Sequence, residues 1–193
     1  GTEANAQNLD SLAGKILRLN EDGSTPSDNP FSTAIYSYGH RNPQGLAWDS
    51  AGRLWSTEHG RSGIASGFDE INLIEPGKNY GWPNIQGDET APNMQSPVAH
   101  SGPNETWAPS GAAIIDNNLL FAGLRGQALY QATIDGTEIK DITAQLPDKF
   151  GRLRTVAVSP DGMLYVLTSN QDGRGEAQPG DDKIIRIDPN SLF

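Results

Sequence analysis

Short apolar runs recur along the chain and alternate with turn-forming residues. The runs are about four to seven residues long and rich in Ile, Leu, Val, Tyr and Trp, and Gly, Pro or Asp separates them. Over no long stretch do apolar residues repeat at the i, i+3, i+4, i+7 spacing of an amphipathic helix. This pattern predicts a chain that is almost entirely β-strand.

Two kinds of unit alternate in a fixed order, a single strand followed by a turn and a two-stranded hairpin. The hairpin turns contain DSAG, DNN and PDG, which supply the residues that tight turns favour. Each period between single strands therefore holds at least three strands, and four fit best. The single-strand units begin at Lys15, Glu70, Ala128 and Lys183, and the hairpins begin at Gly45, Gly111 and Thr155.

Small antiparallel sheets that repeat every 40 to 60 residues or so are typical of a β-propeller. A β-sandwich is the alternative, but the strict alternation of two units favours the propeller. We predict about three four-stranded sheets around an axis, with the four single-strand units in equivalent positions. Such a half-ring exposes a strand edge and an apolar face. We therefore expect the chain to be a fragment of a longer protein or to pair with something that closes the ring.

Composition narrows the possible functions. The 193 residues are enough for one domain, and the formal net charge of -10 makes nucleic acids and anionic membranes poor partners. No apolar run approaches the ~18 residues of a membrane-spanning helix. Because the chain has no cysteine, disulfides, thiolate zinc sites and thiol nucleophiles are excluded.

Three segments resemble the glucose/sorbosone dehydrogenase family, and its aldose sugar dehydrogenase branch in particular. They are GHRNPQGLAW from Gly39, DEINLIEPGKNYGWPN from Asp69 and GRLRTVAVSPDGMLYVLT from Gly151. The resemblance extends from Gly14 to Asp188 and matches the C-terminal portion of the family's catalytic domain. It implies an all-β, six-bladed propeller fold, of which residues 1–193 form a single partial domain of about three blades.

The family resemblance also implies a chemistry. It implies oxidation of aldose sugars at C1 to lactones, with hydride transfer to pyrroloquinoline quinone (PQQ), in the presence of calcium and in the periplasm or outside the cell. The polar first residues do not form a signal-peptide pattern. The family's histidine base lies in its N-terminal part, and His40, His59 and His100 do not occupy that motif. We therefore assign no general base, and expect the isolated chain to bind quinone weakly or not at all and to show no turnover.

Five residues are candidate contacts of the quinone. A guanidinium and an amide at a strand entry suit a planar, oxygen-rich anion, and the resemblance places Arg41 and Asn42 near its reactive carbonyls, with Arg41 polarising the one that receives hydride. Arg125, Arg152 and Arg154 match cofactor-binding positions of relatives. Arg152 and Arg154 also share one face of an extended strand. Solvated turn residues and weak surface ion pairs are the alternatives.

Two calcium sites follow from the resemblance. The carbonyls of Gly60 and Arg61 match ligands of an ion that also touches the cofactor, although relatives often carry Pro in place of Arg61. Calcium favours oxygen ligands of this kind. The Glu70 carboxylate and the Tyr80 carbonyl match a second site. A solvated acidic pair, Asp69 and Glu70, beside a packed aromatic ring is the alternative.

The HRN and EHG segments bracket the first hairpin, and we predict that both face the central ligand site. Trp107 falls in the region that shapes the substrate mouth in relatives, where an aromatic ring can stack on a sugar. Two other functions remain open, a non-catalytic binding propeller and a calcium-dependent propeller lactonase.

Overall fold

Antiparallel sheets follow one another along the chain in the computed structural model, which describes residues 3–63 and 66–192. These residues form four sheets. Their helical segments are three short 3-10 turns, and within the two described ranges no helix is long and apolar enough to cross a membrane. The 3-10 turns span Glu3–Ala6, Pro30–Ser32 and Pro189–Ser191.

The strands of each sheet are joined in chain order, so each sheet is a meander. The first sheet has two strands, the second and third have four, and the fourth has three. The strands are β1 (Lys15–Leu17) and β2 (Ile35–Tyr38); β3 (Pro43–Trp48), β4 (Leu54–Glu58), β5 (Glu70–Ile74) and β6 (Ala99–His100); β7 (Pro109–Ile115), β8 (Asn118–Gly123), β9 (Leu129–Asp135) and β10 (Glu138–Gln145); and β11 (Leu153–Val158), β12 (Leu164–Thr168) and β13 (Ile184–Ile187).

The predicted hairpins are confirmed as β3–β4, β7–β8 and β11–β12. The predicted single strands correspond to β1, β5, β9 and β13, of which the last three are each the third strand of their sheet. Strand β1 pairs with the strand that follows it, as β5 and β9 do. The predicted count of three four-stranded sheets is wrong. Strand β2, whose short IYSY sequence is half-buried, pairs with β1 to form a separate sheet, and the fourth sheet has three strands within residues 66–192.

The sheets pack face to face, with strand β3 against β7 and β7 against β11. Two apolar layers result. Because side chains alternate across a strand, β8 serves both layers. Leu119 and Phe121 pack toward Trp55 of the second sheet, while Leu120 packs toward Val166 of the fourth. Burial of each such side chain contributes about 1.5–3 kcal/mol to stability.

Glycines allow the first strands of neighbouring sheets to approach closely. A Cβ atom at Gly45 would lie 2.6 Å from the Ser110 carbonyl oxygen, and one at Gly111 would lie 2.0 Å from Thr155 Oγ1. A side chain at either position would force the sheets apart. These glycines therefore bring the entries of the first strands together, and the candidate site lies at one of those entries.

Candidate functional site

Two polar segments meet at one end of the β3–β4 hairpin. Arg41 and Asn42 precede β3, while His59 and Gly60 follow β4. Since the strands are antiparallel, with Pro43 opposite Glu58, the start of β3 and the end of β4 lie side by side. The predicted bracketing of the hairpin by HRN and EHG is therefore present in the fold. Glu58 is not among the residues predicted from the sequence to form the site.

Glu58 is buried and joins the two segments. One carboxylate oxygen accepts hydrogen bonds from the backbone N–H groups of Arg41 and Asn42, the latter at 3.0 Å. The other oxygen lies 2.9 Å from His40 Nδ1, and His40 Nε2 lies 2.8 Å from Ser37 Oγ. The Glu58 side chain thus fixes the backbone of the Arg41–Asn42 turn.

The Arg41 side chain spans the space between two loops. Its guanidinium donates to Ser62 Oγ at 2.7 Å and to the His59 carbonyl at 3.4 Å. It also lies 5.4 Å from the centroid of the Trp82 ring, within cation–π range. Asn42 Oδ1 accepts from Gln44 at 2.9 Å. Arg41, Asn42 and Trp82 line a cavity of about 330 Å³.

A second cavity, of about 360 Å³, is strongly basic. Four of the predicted site residues line it, and Arg174, His59 and Asp69 join them. Its volume is within the range of small-molecule pockets. The guanidinium of Arg154 is exposed, and this residue does not line the cavity. The predicted residues that line it are Gly60, Arg61, Arg125 and Arg152.

The arginines of this cavity differ in how many of their N–H donors already form hydrogen bonds within the protein. Arg152 is buried and donates to Asp172 Oδ2 at 2.8 Å and to the Leu124 carbonyl at 3.1 Å. The hydrogen bond from Arg152, followed by one from the Arg174 backbone N–H, lowers the pKa of Asp172. Arg125 donates to Ser66 Oγ at 2.9 Å. The Nε atom of Arg61 is buried and has no hydrogen-bond partner among the described residues. Arg61 and Arg125 therefore have more free donors than Arg152.

The turn after β4 is held by Asp69 and requires glycine. Asp69 is buried and accepts from the backbone N–H groups of Gly60 and Ala108, both at 2.8 Å. A Cβ atom at Gly60 would lie 2.1 Å from the Gly67 carbonyl oxygen and 2.2 Å from that of Phe68. The turn is therefore crowded with backbone oxygens, the ligand type that calcium accepts.

Glu70 lies opposite Glu58 across strands β4 and β5. Burial, and then the nearby Glu58 carboxylate, raise the pKa of Glu70 to about 8. Asn72 donates to Glu70 Oε2 at 3.2 Å, while its own Oδ1 is buried without a hydrogen-bond partner in the described part of the chain. Glu58, Gly60 and Glu70 also line a small cavity of about 10 Å³, room for roughly one water-sized sphere.

Within residues 3–63 and 66–192 no group of three or more His, Cys, Asp or Glu side chains is arranged to hold a metal ion. A cation at either predicted position would therefore depend on backbone carbonyl and amide oxygens as well. The Tyr80 ring stacks on His40 at 4.7 Å, and its hydroxyl donates to the Leu73 carbonyl at 2.6 Å. Burial raises the pKa of Tyr80. Its carbonyl remains a predicted ligand.

Trp107 is part of the core. Its ring is 4% exposed, lies 5.4 Å from Phe121 and 5.7 Å from Tyr130, and donates from Nε1 to Glu105 at 2.7 Å. The residues on either side of it, 106 and 108, line the basic cavity. The role of Trp107 in substrate binding stays a prediction.

His59 lines the basic cavity, although the sequence predicts no role for it. Burial lowers the pKa of His59, Arg41 and Arg154 add to this effect, and Asp69 opposes it. Its Nε2 atom is buried without a hydrogen-bond partner among the described residues. The adjacent EHG motif was the signal for both Glu58 and His59. Which way their side chains point is decided by the pairing of β4 with its neighbours.

The meander sheets, packed face to face with a basic cavity near the ends of their strands, define a partial β-propeller. The model of the family described as glucose/sorbosone dehydrogenase matches residues 1–185, and the chain belongs to this family.

Individual relatives agree with this assignment. Quinoprotein glucose dehydrogenase B of Acinetobacter calcoaceticus is 49% identical over an alignment covering 99% of this chain and 55% of that protein. The aldose sugar dehydrogenase of Escherichia coli is 35% identical, over 87% of this chain and 51% of that protein. The PQQ-bound aldose sugar dehydrogenase of Streptomyces coelicolor superposes with a TM-score of 0.88 and 44% identity, over 96% of this chain and 55% of that one. The chain spans about half the length of the curated relatives that it matches.

Proposed function

We propose that the chain is part of a PQQ-dependent dehydrogenase that oxidises aldose sugars at C1 to lactones, with a periplasmic or secreted location. The basic cavity carries this proposal. Four arginines, Arg61, Arg125, Arg152 and Arg174, meet there in a chain with a net charge of -10. Such a concentration of guanidinium groups suits a polycarboxylate ligand. Relatives described as a quinoprotein and as a PQQ-bound dehydrogenase support the choice of ligand.

The residues of the chain bind and orient in this proposal. When bound, PQQ supplies the acceptor for the hydride that leaves C1 of the sugar. Arg61, Arg125 and Arg152 neutralise the carboxylates, and the exposed Arg154 adds positive charge nearby. Arg41 and Asn42 hold the ligand from the neighbouring cavity, where the guanidinium stabilises negative charge that develops on a quinone oxygen.

Calcium is the second cofactor in the proposal, and two features fit it. The turn at Gly60 and Arg61 is crowded with carbonyl oxygens. Beside Glu70, the buried Oδ1 of Asn72 has no hydrogen-bond partner among the described residues. When bound, the ion supplies positive charge next to the quinone and so favours its reduction. The Gly60, Arg61 and Tyr80 carbonyls and the Glu70 carboxylate would hold the two ions.

In this proposal, a general base outside this chain removes the proton of the sugar hydroxyl. That part of the proposal rests on the family resemblance and on the half-length coverage of the relatives. A calcium-dependent lactonase would need several carboxylates and amides around one ion. The described residues contain no group of three or more His, Cys, Asp or Glu side chains arranged to hold a metal ion, so they offer no carboxylate cluster for such a centre.

Titration with PQQ of the chain joined to the N-terminal half of a related propeller, followed by quenching of tryptophan fluorescence, tests the proposal. We expect Arg125→Ala to weaken binding about tenfold, because a hydrogen bond to a charged group contributes roughly 1.5–3 kcal/mol. Arg186→Ala is the matched control, since Arg186 is an exposed arginine on β13 that pairs with Asp161. Equal effects of the two substitutions on quinone affinity would count against the cavity as the quinone site.

A further inference from the structure

A buried line of polar side chains lies beneath the Arg41–Asn42 turn. Ser37, His40 and Glu58 are 0%, 1% and 3% exposed. Ser37 Oγ is 2.8 Å from His40 Nε2, and His40 Nδ1 is 2.9 Å from Glu58 Oε2. This is the serine–histidine–carboxylate order of hydrolase active sites. Because all three side chains are sealed from solvent, no substrate reaches the serine, and the arrangement does not form a hydrolytic centre.

Glu58, at one end of this row of side chains, forms hydrogen bonds with the backbone of the Arg41–Asn42 turn. Glu58 Oε1 accepts both the Arg41 N–H and the Asn42 N–H. Two consecutive backbone donors on one oxygen fix the orientation of both peptide units. They therefore fix the direction in which the Arg41 and Asn42 side chains leave the backbone. Glu58 is the last residue of β4, which is paired on both sides, so the oxygen itself is rigidly placed.

For folding alone, the burial of these polar groups is unfavourable in free energy. A buried carboxylate loses its hydration, and Glu70 lies directly across the strands with a second carboxyl group. Replacing a buried ionic network by apolar residues of similar size is often neutral or stabilising. The network therefore contributes little to the net free energy of folding. What it does give is a defined geometry at two residues of the candidate site.

We infer that Glu58, oriented by His40, is a positioning residue that sets Arg41 and Asn42 in place for the ligand. The inference rests on the proposed function for the identity of that ligand, PQQ. His40 reaches Glu58 from one side, while its ring stacks on Tyr80 at 4.7 Å. Glu58 thereby links the turn to the segment that carries a predicted calcium ligand.

The first experiment needs no cofactor and uses ¹⁵N-labelled chain. Glu58→Gln keeps the shape and one acceptor oxygen but places an amide NH₂ against His40 Nδ1. We expect Nδ1 to become a hydrogen-bond acceptor, visible as a change in its ¹⁵N chemical shift. We also expect amide exchange at Arg41 and Asn42 to become about tenfold faster, because a neutral acceptor holds these donors less strongly. An unchanged Nδ1 signal together with unchanged amide exchange overturns the inference, even if quinone binding is intact.

The second experiment measures PQQ affinity. We expect Glu58→Gln to weaken binding about tenfold, and Glu58→Ala to weaken it further if that variant folds. Val166→Ala is the control for lost stability, because Val166 lies in the apolar layer between the third and fourth sheets. It should lower the melting temperature and leave the affinity unchanged. These affinities are measured with the chain joined to the N-terminal half of a related propeller, because the isolated chain is expected to bind PQQ weakly or not at all. Wild-type affinity in Glu58→Gln overturns the positioning role, whereas failure of the joined wild-type protein to bind PQQ, with the exchange result as expected, overturns the proposed function only.

Discussion

At the scale of the residue, burial and neighbouring charges shift the pKa values of side chains at the candidate site. Glu70 is the clearest case, since burial and the carboxylate of Glu58 raise its pKa from the ordinary 4.5 to about 8. In the metal-free chain its carboxyl group is therefore largely protonated at neutral pH. A cation that binds there must release this proton. Binding should consequently strengthen as the pH rises toward and beyond 8.

Thermal unfolding with and without calcium measures this effect. A ligand that binds only the native state raises the apparent stability, so calcium should raise the melting temperature of wild type more at pH 8.5 than at pH 6, values about half a unit above and two units below the pKa of about 8. Glu70→Ala should lose most of this shift. Glu138→Gln, which changes an exposed carboxylate on β10, should keep it. A calcium-dependent shift that survives in Glu70→Ala would remove Glu70 from the site.

At the scale of the element, the β3–β4 hairpin depends on its turn. Asp49 Oδ1 accepts from the backbone N–H groups of Ala51 and Arg53, at 2.9 and 3.0 Å. Its Oδ2 accepts from Arg53 Nε at 2.7 Å and from the Trp55 indole at 2.9 Å. Burial alone would raise the pKa of Asp49, but the hydrogen bonds from Trp55 and Arg53 outweigh it and lower the pKa to about 2. One carboxylate thus fixes the turn that precedes the site-bearing end of β4.

This lowered pKa predicts a pH dependence of stability. The unfolded carboxyl group titrates near 3.8. The stabilisation is therefore fully present above that pH and is lost as the pH falls toward 2. We expect Asp49→Asn to lower the free energy of unfolding by about 1 kcal/mol at pH 7, after discounting for solvent screening.

Urea unfolding at pH 7 and at acidic pH tests this, and the difference between Asp49→Asn and wild type should shrink as the pH falls from 4 to 2. Asp161→Asn changes an exposed aspartate in the corresponding turn of the β11–β12 hairpin and is the control. It should have the smaller effect. A constant difference across this pH range would mean that the Asp49 charge is not responsible.

At the scale of the molecule, the four sheets give only part of a ring. The outer face of β3 carries Leu46 and Trp48, which are 42% and 63% exposed, whereas β7 packs against β3 and β11 packs against β7. Within residues 3–63 and 66–192, strand β1 pairs with β2 alone. Enclosure of a ligand needs walls on every side, and the relatives are about twice as long as the part that matches this chain.

We therefore expect the isolated chain to show no dye-linked oxidation of glucose in the presence of PQQ and calcium. Addition of the N-terminal half of a related propeller, in the same chain or as a second chain, should restore turnover because it supplies the base and the enclosure. Turnover by the isolated, monodisperse chain would contradict this. His59, whose Nε2 has no hydrogen-bond partner among the described residues, would then be the first candidate base, since His40 is sealed in the interior.

The sequence by itself determined the elements and their order. Alternation of apolar and polar residues, interrupted by Gly, Pro and Asp, was enough to place the three hairpins and the strands of the third position, because these signals are local. It did not reveal β2, a four-residue strand whose pairing with β1 depends on residues about twenty positions away. The motifs also identified the family and grouped Arg125 with Arg152, which do line one cavity.

Only the tertiary structure decided how the side chains of the site are used. Arg152 matches a cofactor position, yet much of its guanidinium is engaged by Asp172, twenty residues further along the chain. Trp107 suits a sugar-stacking role by type, but it packs against Phe121 and Tyr130 of the adjacent strands. Glu58 belongs to the EHG motif, but its hydrogen bonds to the Arg41 and Asn42 backbone exist only because β3 and β4 are antiparallel neighbours. Hydrogen bonds and burial are properties of the assembled sheets, and local sequence therefore does not contain them.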